Sequence, residues 1–309
     1  MTTGNTIYGK VAILGLGLIG SSIAHAMRRA KMATHIAGYA RPRTLARARA
    51  VGFCDSYTSD PAECVVDADL VILATPVGIF GQLAELIGAN LKPGSTLSDV
   101  GSVKSAVIRD VGPFVPEGVH FIPAHPIAGT EESGPEAGFA ELFDGRWCLL
   151  TPLPGTDPAA LESLKAFWGA LGSNLDVMEA HHHDLVLAIT SHLPHLIAYN
   201  IVGTADDLET VTHSEVIKYS AGGFRDFTRI AASDPTMWRD IFLNNREAVL
   251  EVLGRFSEDL SALGRAIRWG DGEALHNLFT RTRAIRRGIV DAGQDTSKPN
   301  FGRSNQKGE

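Results

Sequence analysis

Gly15-Leu16-Gly17-Leu18-Ile19-Gly20 follows the β-rich run Lys10-Val11-Ala12-Ile13-Leu14 and leads into a helix-forming stretch that reaches Arg29. This is the G-x-G-x-x-G spacing in the context it needs, a strand before and a helix after. Gly15 permits a tight turn, Gly17 lets the backbone approach a pyrophosphate, and Gly20 lets helix and strand pack closely. The first N–H groups of the helix and its positive dipole end favour phosphate. The motif predicts a dinucleotide-binding fold, with Gly15, Gly17, Leu18, Ile19 and Gly20 as cofactor residues.

Outward from this loop the pattern repeats. A second strand, His35 to Tyr39, should end at the residue that reads the adenosine ribose. An acid there would hold the 2′-hydroxyl, but the chain has Ala40-Arg41-Pro42-Arg43. Arg41 and Arg43 can pair with a 2′-phosphate, stack on adenine or face water, so NAD and NADP both stay open. An apolar strand from Ala68 to Ala74 ends in Thr75-Pro76. Another, Thr96 to Val100, delivers Gly101 and Ser102, and Val119 to Pro123 delivers His125. Alternating strands and helices imply a parallel sheet whose C-terminal strand ends line the ligand crevice. Thr75, Pro76 and Gly101 are then expected against the cofactor. Ser102 is expected to cap the helix from Lys104 to Val111, a role that can coexist with one in the site.

His125 precedes Pro126, which pushes its backbone toward an extended form. A lone histidine there can simply cap a strand. Its convergence with Thr75-Pro76 and Ser102 makes it a candidate functional residue. The Gly- and Glu-rich stretch from Glu131 to Gly145 reads as a lid.

From about Ala180 the strand pattern stops. The fold class is therefore an α/β Rossmann-type doubly wound N-terminal domain plus an all-α C-terminal dimerisation domain. The expected boundaries are 1–179 and 180–294, with a polar, disordered tail over 295–309. His181-His182-His183 point in three directions on a helix and cannot share a metal, and no metal is expected. His192 and His195 lie three apart on one face, and Pro194 should kink their helix. Asp184 shares that face with His195. Gly222-Gly223 breaks a helix before Arg225 and Arg229. An arginine in such an apolar setting needs a carboxylate, from Asp184, Asp226 or a ligand. Trp238 sits on the next helix, and two amphipathic helices follow, Asn244 to Ala266 and Glu273 to Val290.

The bulk numbers fit. The 309 residues are 44% hydrophobic and 20% charged, an ordinary globular mixture. A net charge of -7 argues against nucleic acid or an anionic membrane surface as partner. Three cysteines without metal spacing suit a reduced cytoplasmic compartment. No run reads as long and apolar enough to span a bilayer.

Five blocks together resemble the prephenate/arogenate (cyclohexadienyl) dehydrogenase family: Gly15 to Gly20, Asp99-Val100-Gly101-Ser102-Val103-Lys104, His125 to Glu131, Ser191-His192-Leu193-Pro194-His195, and Gly223 to Arg229. The resemblance covers roughly residues 10 to 290 and is similar above all to the single-function bacterial enzymes. It implies oxidation of the C4 carbinol of prephenate or arogenate with NAD(P)+ and loss of CO2. The products would be 4-hydroxyphenylpyruvate or tyrosine. It further implies that His125 draws the hydroxyl proton, that Ser102 orients it, and that Arg229, held by Asp184, binds a carboxylate. His195 would line the pocket, with Glu131 and Trp238 near its mouth, in a homodimer built through the helical half. NAD-using relatives often carry an acid where Ala40 stands. Two other readings compete. A β-hydroxyacid dehydrogenase or imine reductase would use a lysine of the helical half, for which only Lys218 is available. A non-catalytic nucleotide sensor would not need His125, Ser102 and Arg229 together.

Overall fold

The computed structural model describes residues 7–212 and 221–291. Lys218 and the tail 295–309 lie outside them. The chain divides into two compact units, Met1–Arg246 and Glu247–Glu309, so the helices after Ala180 stay with the sheet unit as far as Arg246.

Six parallel strands form the main sheet: β1 (Tyr8–Leu14), β2 (Ala33–Tyr39), β3 (Ser56–Thr58), β4 (Leu70–Leu73), β5 (Thr96–Asp99) and β6 (His120–Phe121), in the order β3-β2-β1-β4-β5-β6. Helices α1 (Leu18–Ala30), α2 (Pro42–Val51), α3 (Pro61–Val65), α4 (Phe80–Ile87) and α5 (Ser105–Val111) connect them. Leu70-Val71-Ile72-Leu73 shows no polar alternation because both faces are covered, and all four residues are fully buried. Val11, Ile13, Leu70 and Ile72 pack on one face with Ile23 and Met27 of α1. Ala12, Leu14, Val71 and Leu73 pack on the other with Phe80 and Leu83 of α4 and Val107 of α5.

The expected strand ending in His125 is split. After β6 the chain leaves the main sheet, and His125 lies in β7 (Ala124–Pro126). That strand pairs antiparallel with β8 (Trp147–Leu150), and β8 pairs parallel with β9 (Asn174–Val177), in a second three-stranded sheet. Pro123 lacks the N–H that would continue the ladder with β5, and its carbonyl instead accepts from the Thr151 N–H at 3.0 Å. Helix α6 (Pro158–Ala170) links β8 to β9.

Helix α7 (Ala180–Leu187) passes through a π-helical turn, Ala188–His192, into α8 (Leu193–Thr212). Pro194 has no N–H to give to residue 190 and its ring crowds that carbonyl, which accounts for the widened turn. Against the sequence expectation, Ala180–Leu208 is by length and composition apolar enough to cross a bilayer, since it contains an 18-residue stretch with a mean hydropathy of 1.5. His183 and Asp184 in this segment are nonetheless bonded into the sheet unit, as described below. Helices α9 (Gly222–Thr228) and α10 (Pro235–Asn244) complete the first unit's described residues. The second unit carries nearly all of α11 (Arg246–Trp269) and α12 (Gly272–Asp291), where Leu260, Ile267, Trp269, Phe279 and Ile285 are exposed in the single chain.

Candidate active site

The glycine loop has the shape its spacing predicts. Gly15 takes φ +117°, and a Cβ there would sit 2.5 Å from the carbonyl of Ala74. A Cβ on Gly20 would lie 1.9 Å from the Gly15 carbonyl oxygen, which no side chain tolerates. At Gly17 a Cβ would meet nothing within 4 Å, so space opens before the helix. No side chain caps α1, which leaves the N–H groups of Leu18 and Ile19 available. Across the loop the buried hydroxyl of Thr75 has no partner among the described residues, and Pro76 beside it is exposed. This cradle fits a dinucleotide. Arg41 and Arg43 are exposed at the start of α2, where the ribose is expected.

After β5 the chain turns through Gly101, whose N–H donates to Asp99 Oδ2 at 2.7 Å. Asp99 and Lys104 are both fully buried and ion-paired. Lys104 Nζ also donates to the Ala124 carbonyl at 2.6 Å, and the Ala124 N–H donates to Asp99 Oδ1 at 3.2 Å. Burial pushes the Asp99 carboxyl up and the Lys104 ammonium down, while their mutual attraction opposes both shifts. The pair thus grips the residue before His125 and fixes where the ring emerges.

His125 is 7% exposed. Burial, then the neighbouring His183, Lys104 and His192, lower its pKa well below the ordinary imidazole value, so the ring is neutral near pH 7. Its Nδ1 lies 2.9 Å from His183 Nε2, and His183 Nδ1 lies 2.9 Å from Asp184 Oδ1.

Two expectations are corrected here. Ser102 does not cap α5, which begins at Ser105; the half-buried serine sits in the loop before it. The cap comes instead from Asp184, whose Oδ1 accepts from the Lys104 N–H at 2.7 Å and Oδ2 from the Ser105 N–H at 2.8 Å. Asp184 therefore does not serve as the holder of Arg229. Arg229 Nη1 donates to Glu131 Oε2 at 2.9 Å, with both side chains partly exposed, and Asp226 pairs with Arg225.

Around this centre, His195 stacks on the buried Trp238 with ring centroids 3.7 Å apart and 23° between planes. His195 Nδ1–H donates to the Ser191 carbonyl at 2.8 Å. Asn245 Nδ2 donates to the Asp184 carbonyl at 2.8 Å and lies 3.1 Å from His192 Nδ1. Burial brings His192 down to about 4. Its Nε2 and Trp238 Nε1 are buried without a partner among the described residues. Orphaned polar atoms of this kind suit a ligand that supplies the missing bonds.

The stretch read as a lid is pinned. Arg47 pairs with Glu136, the Phe139 N–H donates to Ser22 Oγ at 3.1 Å, and Arg29 pairs with Asp144. Its start, with Glu131, is what meets Arg229. The sequence reading missed Asp99, Lys104, His183 and Asn245 as site-builders. The signal for His183 was its place next to Asp184, just before the apolar run Leu185-Val186-Leu187. For Asp99 and Lys104 it was two opposite charges flanking an apolar loop.

A family model described as "Prephenate dehydrogenase, nucleotide-binding domain" matches residues 23–177, and one described as "Prephenate dehydrogenase, dimerization domain" matches 179–281. A cyclohexadienyl dehydrogenase of Zymomonas mobilis is 41% identical over 91% of this chain and 96% of its own length. A prephenate dehydrogenase of Bacillus subtilis is 32% identical over 92% of this chain and 77% of its own length. The crystal structure of Aquifex aeolicus prephenate dehydrogenase in complex with hydroxyphenyl propionate and NAD+ superposes with a TM-score of 0.84 at 35% identity, covering 91% of this chain and 98% of that one.

Proposed function

The chain belongs to the prephenate dehydrogenase family, and we propose that it oxidises the ring carbinol of prephenate or arogenate with His125 as proton acceptor. The reaction is the NAD(P)-dependent oxidative decarboxylation that leads toward tyrosine. NAD(P)+, when bound on the glycine loop, supplies the acceptor for the hydride that leaves C4. His125 Nε2 takes the hydroxyl proton as that hydride departs. The O–H electron pair becomes the second bond of the carbonyl. The C–CO2 bond then breaks, its electrons pass through the ring to the C4 oxygen, that oxygen takes a proton back from His125, and aromaticity makes the loss irreversible.

The observation that carries this reading is His125 itself, a buried, neutral imidazole gripped from behind by Asp99, Lys104 and Ala124. A base that is neutral near pH 7 can accept a proton in the transition state. Ser102, in the loop between cofactor cradle and ring, orients the hydroxyl. Arg229 binds a substrate carboxylate, and Glu131 holds its guanidinium when none is present. His195 and Trp238 wall the ring pocket, and Arg41 meets the adenosine end of either cofactor. We place the enzyme in the cytoplasm, as a homodimer that covers the exposed apolar residues of α11 and α12.

His125→Asn should retain NAD+ binding by fluorescence titration and lose about 10²–10⁴-fold in turnover. Near-normal turnover would remove His125 from the chemistry.

A further inference from the structure

Behind His125 stand two side chains whose hydrogen bonds leave little freedom of protonation. We propose that Asp184 and His183 act as positioning residues that lock His125 in its Nδ1–H tautomer, leaving Nε2 as the free base. The proposal rests on His125 being the proton acceptor and adds what decides which of its nitrogens can serve.

Asp184 is the end that cannot change. Its two oxygens accept from the main-chain N–H groups of Lys104 and Ser105, donors that have no second form. Burial would raise this carboxyl, but hydrogen bonds from His183, Ser105 and Lys104 outweigh it and hold the pKa below the ordinary value. An ionised carboxylate only accepts. His183 Nδ1, 2.9 Å from Asp184 Oδ1, must therefore carry a hydrogen.

His183 is fully buried, and burial lowers its pKa, so it carries one proton and not two. With that proton on Nδ1, its Nε2 offers a lone pair. His125 Nδ1 lies 2.9 Å from that atom and must donate to it. One proton per neutral ring then leaves His125 Nε2 bare. The opposite arrangement would set the lone pair of His183 Nδ1 against the carboxylate and place a hydrogen on His125 Nε2, where no proton could be taken. The logic is that of the Asp–His pair of a serine hydrolase, with one more imidazole in the chain. It also gives Asp184 a task in the site different from holding Arg229.

The test is ¹⁵N-histidine NMR on the intact protein, with long-range ¹H–¹⁵N couplings showing which ring nitrogen is protonated. His125 and His183 are expected as Nδ1–H at pH 7.5, against the Nε2–H preference of free histidine. An Nε2–H signal for His125 would overturn the proposal. Two substitutions supply a second readout. His183→Gln can still accept from His125 through its amide oxygen, whereas His183→Asn reaches only Asp184. Turnover should stay within about tenfold for Gln and fall about 10²–10⁴-fold for Asn, the range for losing acid–base help. A role limited to anchoring Asp184 predicts the reverse order, and that order would also overturn the proposal. Full turnover by His125→Asn would sink the underlying reading instead, whatever tautomer the NMR shows.

Discussion

At the scale of single residues, the site is a set of side chains whose partners are dictated by burial. Lys104 and Asp99 lie where an unpaired charge would be prohibitive, and each is the other's answer. Arg229 is the opposite case. It is partly exposed, and its bond to Glu131 is a surface ion pair of small net worth, which under the proposed function gives way to a substrate carboxylate. Arg229→Gln should therefore raise KM by one to two orders of magnitude while kcat changes less. Steady-state kinetics with prephenate check this, and an unchanged KM would make the arginine structural. That Arg229 would meet a carboxylate was open to sequence reading, because its chemistry calls for one. Which carboxylate was not, since Glu131 is 98 residues away.

At the scale of elements, the glycine loop and the helix it starts carry the cofactor cradle. Gly20→Ala should abolish NAD(P)+ binding, because the new Cβ would lie 1.9 Å from the Gly15 carbonyl oxygen. Equilibrium titration of the folded variant checks this, and wild-type affinity would mean that the cradle lies elsewhere. The loop's shape was legible in sequence at Gly15 and Gly20, where a local steric demand requires glycine, whereas at Gly17 a Cβ would meet nothing within 4 Å. The strand of His125 was legible as extended backbone but not in its sheet. A proline that ends one ladder does not say which strand receives the chain next. The Asp184 cap on α5 was hidden for the same reason: it joins residues 80 apart. Helical periodicity shows which residues share a face and is silent on what that face meets.

At the scale of the whole molecule, four buried or half-buried histidines gather at one place. His125, His183, His192 and His195 all have folded pKa values pushed below that of the unfolded chain, chiefly by burial. Below about pH 6.5 the unfolded chain takes up protons that the folded one refuses, so their contribution is present above that pH and lost as pH falls. For His192 the loss runs from 6.5 down to about 4. Calorimetric Tm should accordingly drop by several degrees between pH 7.5 and 5, and a flat or rising Tm would show these rings already protonated in the fold. The end of the strand pattern near Ala180, legible in sequence, falls where the two matched family models meet, 23–177 and 179–281, while contacts keep α7 to α10 with the sheet unit up to Arg246. Family membership, the shape of the glycine loop and the buried His125 imidazole are what the proposed reaction rests on. The most direct test is the rate of NADH or NADPH formation with prephenate and with arogenate, each with NAD+ and with NADP+. Turnover with at least one pair, releasing CO2 and an aromatic product, is the expected result; no turnover with any of the four by the folded protein would contradict it.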